Sequence, residues 1–116
     1  MRWTAGLALV LILAVTACSA GASSAPKASS SAADTIVIKS FMFSPATLSV
    51  SPGTVVTVRN EDSVAHTLTD MADPKLFSTG DVGPGQVKTF KAPGKAGSYP
   101  YFCTIHQYMT GTLVVR

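Results

Sequence analysis

Residues 46–60 read ATLSVSPGTVVTVRN. Leu48 and Val50 alternate with Thr47 and Ser49, Pro52-Gly53 breaks the pattern, and Val56 and Val58 resume it against Thr57 and Arg59. A period of two sets one face of an extended strand on a core and the other in water. Pro-Gly between two such runs is turn chemistry. The alternation continues outward. TIVIKS (35–40) precedes it, and AHTLTD (65–70), QVKTFKA (86–92), GSYPYFC (97–103) and GTLVVR (111–116) follow. Gly, Pro, Asn and Asp punctuate these runs at intervals of about 8–12 residues, the spacing of a sandwich or barrel. Beyond residue 34 no stretch carries an apolar stripe of helical period over the length a helix needs. Residues 73–85, DPKLFSTGDVGPG, read as a loop crossing between sheets, with one helical turn near Pro74. The expected fold is all-β, a Greek-key β-sandwich of six to eight strands.

Toward the N-terminus the pattern changes. Arg2 supplies a positive charge, AGLALVLILAV (5–15) is uncharged and apolar, and VTAC (15–18) follows. A charged start, an apolar run of about 7–15 residues and small residues at a cleavage point make a secretory signal. Such a run is short for a membrane-spanning helix. The cysteine directly after Val-Thr-Ala resembles a bacterial lipobox, which implies cleavage after residue 17 and a lipid on Cys18. An ordinary signal cut near Ala20 or Ala22 is the alternative. Residues 18–34 are rich in Ser and Ala and cannot bury enough apolar surface to offset the entropy of ordering. They read as a flexible tether. The expected organisation is a signal peptide over 1–17, a tether over 18–34 and one domain over 35–116, small but able to form a core. The localisation that follows is export to the periplasm or cell surface, with membrane attachment through Cys18.

Nine basic against six acidic residues give a net charge of +3. The basic residues are scattered, with no run and no interleaved aromatics, so nucleic acid binding has no support. Two cysteines are present. Exported proteins usually pair their cysteines, yet lipidation of Cys18 would leave Cys103 without a partner. An odd thiol of this kind is buried and inert, joined to another chain, or ligated.

Residues 99–109, YPYFCTIHQYM, bear on that choice. Cys103, His106 and Met109 follow at spacings of three and three, at the end of one strand and on the turn into the last. The chain has two histidines, and the other is His66. Taken singly, Cys103 could be a small buried hydrophobe, His66 a satisfied core histidine and Met109 plain packing. Taken together, one thiolate, two imidazoles and a weak axial thioether are the ligand set of a blue-copper electron-transfer centre. Thiolate suits Cu(I) and also binds Cu(II), imidazole accepts both states, and a distant thioether does not enforce square-planar geometry.

The domain resembles the cupredoxins, and within them the amicyanin-like branch, over essentially all of 35–116. That branch carries Cys-x-x-His-x-x-Met in its shortest form, matched by CTIHQYM. Pro45, Leu48, Val50, Gly53, Val56, Val58, Asn60, Asp62 and His66 are similar to the family's approach to its first histidine. The resemblance implies one copper per chain, held by His66, Cys103, His106 and Met109. It also implies a monomeric electron carrier, not an enzyme, that meets redox protein partners transiently. Many members have Asn directly after the first histidine, where it ties the two ligand loops. Thr67 stands there, and its hydroxyl can make one such bond but not the same pair, which leaves the reduction potential open.

Three other readings compete: a copper-delivery module whose metal is cargo, a copper or zinc enzyme, and an inert adhesive sandwich. Cys103 argues against the first, because such carriers use exposed Met- and His-rich sites. A filled ligand set argues against the second, because catalytic metals keep an open position. His106, on the exposed loop, is the expected electron port, with Tyr108 and Pro84 on an apolar rim. Asn60 and Asp62 are expected to shape the turn before His66. Met42 and Met71 are expected to pack. Phe41, Phe43, Phe77, Phe90, Tyr99, Tyr101 and Phe102 are expected in the core and rim.

Overall fold

The structure is a computed structural model that describes residues 34–116. The expected signal segment and lipidation site, and nearly all of the expected tether, lie outside the described residues. Eight strands follow in order: β1 (Thr35–Lys39), β2 (Met42–Ser44), β3 (Thr47–Val50), β4 (Val55–Asn60), β5 (Thr69–Asp70), β6 (Val87–Lys91), β7 (Gly97–Phe102) and β8 (Thr110–Val115). They form two four-stranded sheets, ordered β2-β1-β4-β6 and β3-β8-β7-β5. β1 runs parallel to β4 and β3 parallel to β8, while the other pairs are antiparallel. Only β1–β2 and β7–β8 pair sequence neighbours. Every other pairing needs the chain to cross, as a Greek-key sandwich requires.

The alternation read from the sequence is the alternation of burial. Ile36, Ile38, Val56, Val58 and Phe90 point inward from one sheet, and Leu48, Val50, Tyr101, Leu113 and Val115 from the other. Each such side chain contributes about 1.5–3 kcal/mol relative to an exposed one, so the interleaved faces are what hold the sheets together. Pro52-Gly53 turns β3 into β4, with Gly53 at φ +74°, a backbone state that favours glycine.

Three local expectations differ from the structure. First, a strand over 65–70 is reduced to the two-residue β5 and two isolated bridges, His66 to Val82 and Thr69 to Ser78. The ladder breaks because Thr67 N–H turns to the Cys103 sulfur and Leu68 N–H to the Thr79 hydroxyl. Second, no helical turn forms near Pro74. The residue before proline disfavours helical backbone, and the buried Asp70 carboxylate accepts from Ala72 N–H and Leu76 N–H, drawing the loop back on itself. Phe77 then stacks on Phe90, centroids 4.8 Å apart. Third, β2 follows a two-residue turn at Ser40-Phe41, where both residues have positive φ, 53° and 59°. Turns of this kind favour Asn-Gly, so Ser-Phe gave no signal.

Candidate metal centre

β7 delivers Cys103, fully buried, to one end of the sandwich. The chain then loops and returns as β8. The loop closes on its own backbone: Cys103 N–H donates to Met109 C=O at 3.1 Å, and Met109 N–H to His106 C=O at 2.9 Å. This turns His106, half-buried, back over Cys103 and buries Met109 at 2% exposure. His66 arrives from the other side, fully buried, its backbone bridged in both directions to Val82.

Three of the four expected ligands therefore converge. Cys103 Sγ lies 3.9 Å from Nδ1 of His66 and 3.9 Å from Nδ1 of His106, and the two Nδ1 atoms are 3.1 Å apart. Metal–imidazole bonds to a first-row ion such as zinc are about 2.0–2.1 Å and metal–thiolate bonds about 2.3 Å. A point in the plane of the three atoms, about 2.05 Å from both nitrogens, would stand about 2.2 Å from the sulfur. The spacing thus admits one ion bound by all three atoms. The donor chemistry agrees: two ring nitrogens this close, beside a sulfur, call for a shared cation or proton. Among the described residues these three form the cluster of His, Cys, Asp and Glu atoms able to hold a metal. Met109 sits beside them through its backbone bonds to Cys103 and His106.

Each donor is fixed by its surroundings. The Cys103 sulfur accepts N–H bonds from Thr67 and His106, both at 3.3 Å, which hold it in place. The Thr67 hydroxyl does more than the single bond expected of it. It accepts from Thr104 N–H at 2.8 Å, pairs with the Thr104 hydroxyl at 3.1 Å and accepts from the Thr69 hydroxyl at 3.1 Å. The two ligand loops are tied there without an amide side chain.

Two residues have a larger part than the sequence suggested. Asp62 was expected only to shape the turn, yet its Oδ2 lies 2.9 Å from Nε2 of His66. The same carboxylate accepts Ser40 N–H at 2.6 Å and Phe41 N–H at 2.9 Å. Burial acts to raise the Asp62 carboxyl, but the N–H groups of Phe41 and Ser40, together with His66, outweigh it and hold it below the usual carboxylate value. Phe41, assigned in the sequence only to core and rim, sets its ring edge-on to both imidazoles, with centroids 5.3 Å from His66 and 5.2 Å from His106. A carboxylate four residues before a candidate histidine ligand was the available signal for Asp62. Asn60 is fully buried and does shape the turn: its amide donates to Val64 and Val82 carbonyls and its oxygen accepts Asp62 N–H. Met42 and Met71, expected to pack, are 63% and 44% exposed. Met42 takes the outward face of β2, alternating with buried Phe43, and Met71 lies just beyond β5.

The chain matches the family model described as "Cupredoxin-like domain" over residues 7–115. No match was found among curated proteins. Among solved structures it is similar to a novel purple cupredoxin from Nitrosopumilus maritimus, with TM-score 0.63 and 26% identity over 71% of this chain and 98% of that one. It is likewise similar to the reduced state of a proline-to-phenylalanine mutant of amicyanin, with TM-score 0.63 and 26% identity over 71% of this chain and 80% of that one. The reduced Cu(I) form of a proline-to-glycine mutant of amicyanin shares the fold, with TM-score 0.64 and 24% identity over the same shares. With its two four-stranded sheets, its closed Cys103–Met109 loop and the family match over nearly its full length, the chain belongs to the cupredoxin-like domain family.

Proposed function

We propose that this protein is a type 1 copper electron carrier, with copper held by Cys103, His66 and His106 and with the Met109 thioether as a weak axial ligand. The observation that carries this reading is the convergence of one sulfur and two imidazole nitrogens within 3.9 Å at a buried point. Copper in such a ligand set changes between Cu(I) and Cu(II) by one electron. The protein's own residues keep the donors still while that happens. Thr67 and His106 N–H groups bind the sulfur, Thr67 and Thr104 lock the two loops, and Asp62 anchors the His66 ring. Donors that are already placed need little rearrangement when charge changes.

His106, half-buried, is the proposed electron port. Tyr108 beside it is 71% exposed, with ring centroids 6.2 Å apart, and Phe41 closes the other flank. An exposed aromatic beside a half-buried ligand suits a small, transient redox encounter. No catalytic step is assigned, because four donors fill the centre. Export, a lipid on Cys18, a monomeric state and redox proteins as partners complete the reading.

The test is to load the purified domain with Cu(II) and record its visible and EPR spectra. An intense thiolate-to-copper band with narrow hyperfine splitting is expected, and Cys103→Ser should abolish the band. A pale, tetragonal signal would instead favour metal as cargo, and no binding would sink both readings.

A further inference from the structure

On the edge of its ring away from Cys103, His66 meets one carboxylate. His66 is fully buried, its Nδ1 faces Cys103 Sγ and His106 Nδ1, and its Nε2 lies 2.9 Å from Asp62 Oδ2. A carboxylate only accepts, so this contact places a proton on His66 Nε2, and in the neutral ring the Nδ1 lone pair then faces the donor cluster. The carboxylate is itself held by other donors. Ser40 N–H and Phe41 N–H donate to its two oxygens, and its own backbone N–H is bound by the Asn60 side chain. Among the described residues no lysine or arginine pairs with it. Lys39 and Arg59 both lean toward Glu61, at 3.8 Å, on the surface.

Resting on the copper reading above, we propose that Asp62 is a positioning residue of the metal centre. It fixes His66 as an Nδ1 ligand, and its negative charge on the far side of the ring favours the Cu(II) form over the Cu(I) form. Partners of metal-binding histidines orient the ring and raise its basicity, and their loss typically costs about 10–100-fold in metal affinity. A more basic imidazole and a nearby anion both serve the more highly charged ion better. The same carboxylate holds the Ser40-Phe41 turn in its positive-φ state, which sets the Phe41 ring against both imidazoles. One side chain thus controls the orientation, charge and apolar cover of one ligand.

Asp62→Asn keeps the shape and removes the charge. In the copper-loaded variant the thiolate band should remain. Cu(II) affinity should fall about tenfold relative to Cu(I), which for a one-electron couple is a rise of about 59 mV in reduction potential. Chelator competition in each oxidation state and voltammetry read the two quantities independently. A lower melting temperature with an unchanged potential would overturn the proposal, since that is what a purely structural residue gives. Should Asp62→Asn not fold, ¹⁵N NMR of the metal-free wild type at mildly alkaline pH decides instead. A proton on His66 Nε2 supports the assignment, and a proton on Nδ1 overturns it. The two readings fail separately. A loaded wild type without the thiolate band sinks the electron carrier, while the metal-free NMR result still judges Asp62.

Discussion

Gly111→Ala should destabilise the domain, and the magnitude can be worked from one contact. Gly111 lies on β8 directly opposite Tyr101 on β7. Its backbone needs no glycine, since no positive φ occurs there; the restriction is space. A Cβ at Gly111 would stand 2.5 Å from both Cζ and the hydroxyl oxygen of Tyr101 and 2.6 Å from Cε2. The ring cannot swing away, because Tyr101 is fully buried and packs edge-on against Phe43, centroids 5.0 Å apart. Inserting a methyl into such a core costs about 1–3 kcal/mol. Against this, alanine gains about 0.5–1 kcal/mol over glycine within a strand. Contacts as short as 2.5 Å put the cost at the upper end, about 2–3 kcal/mol, so the net loss is about 1–2.5 kcal/mol, or a fall of about 4–20 °C in melting temperature for a domain of this size. The strain falls on both stems of the ligand loop, since Tyr101 precedes Cys103 by two residues and Gly111 follows Met109 by two. Thermal unfolding of the metal-free wild type and variant measures the loss. Tyr101→Phe in the Gly111→Ala background should recover only a part, because two of the three close atoms belong to the ring. A variant that melts at or above the wild-type temperature would refute the packing argument.

Two further outcomes follow from other buried groups. Thr67→Val keeps the volume but leaves the Thr104 N–H without the hydroxyl that accepts it. It should cost about 1–3 kcal/mol and broaden the hyperfine lines of the loaded centre, measured by urea unfolding and EPR; an unchanged midpoint would count against Thr67 as the tie between the loops. The Tyr101 hydroxyl, buried and without a hydrogen-bond partner among the described residues, has its ionisation pushed well above the ordinary tyrosine value by burial. In the unfolded chain this hydroxyl ionises near pH 10 while the folded one stays neutral, so above about pH 10 the unfolded state binds fewer protons and stability falls as pH rises. Urea midpoints from neutral pH to about pH 11 should show that fall, shallower in Tyr101→Phe; equal slopes in the two proteins would exclude Tyr101 as the cause.

The parts of this molecule that were legible in the sequence are those governed by a short repeat or a fixed spacing. A period of two is a local property of each strand, so Ile36 and Ile38, Val56 and Val58, or Leu48 and Val50 announce their inward face without reference to any partner. Cys103, His106 and Met109 could be read together because one loop carries them and the loop closes on its own backbone. What was not legible depends on pairings across the fold. The Ser40-Phe41 turn has the wrong residues for its backbone state, and it exists because a carboxylate 21 and 22 residues away accepts both of its N–H groups. That carboxylate has three donors to satisfy, and the third is His66. The local strain at the turn and the orientation of a candidate ligand are therefore two ends of one interaction. Thr67 follows the same logic. Its hydroxyl looked like a poorer tie than an amide because only its own bonds were counted. Thr104 and Thr69 bring hydroxyls of their own, and the network they form with Thr67 restores through three short side chains the link that one amide would make. Substitutions in this centre should therefore be judged by every bond the replaced side chain takes part in, those that its neighbours bring included.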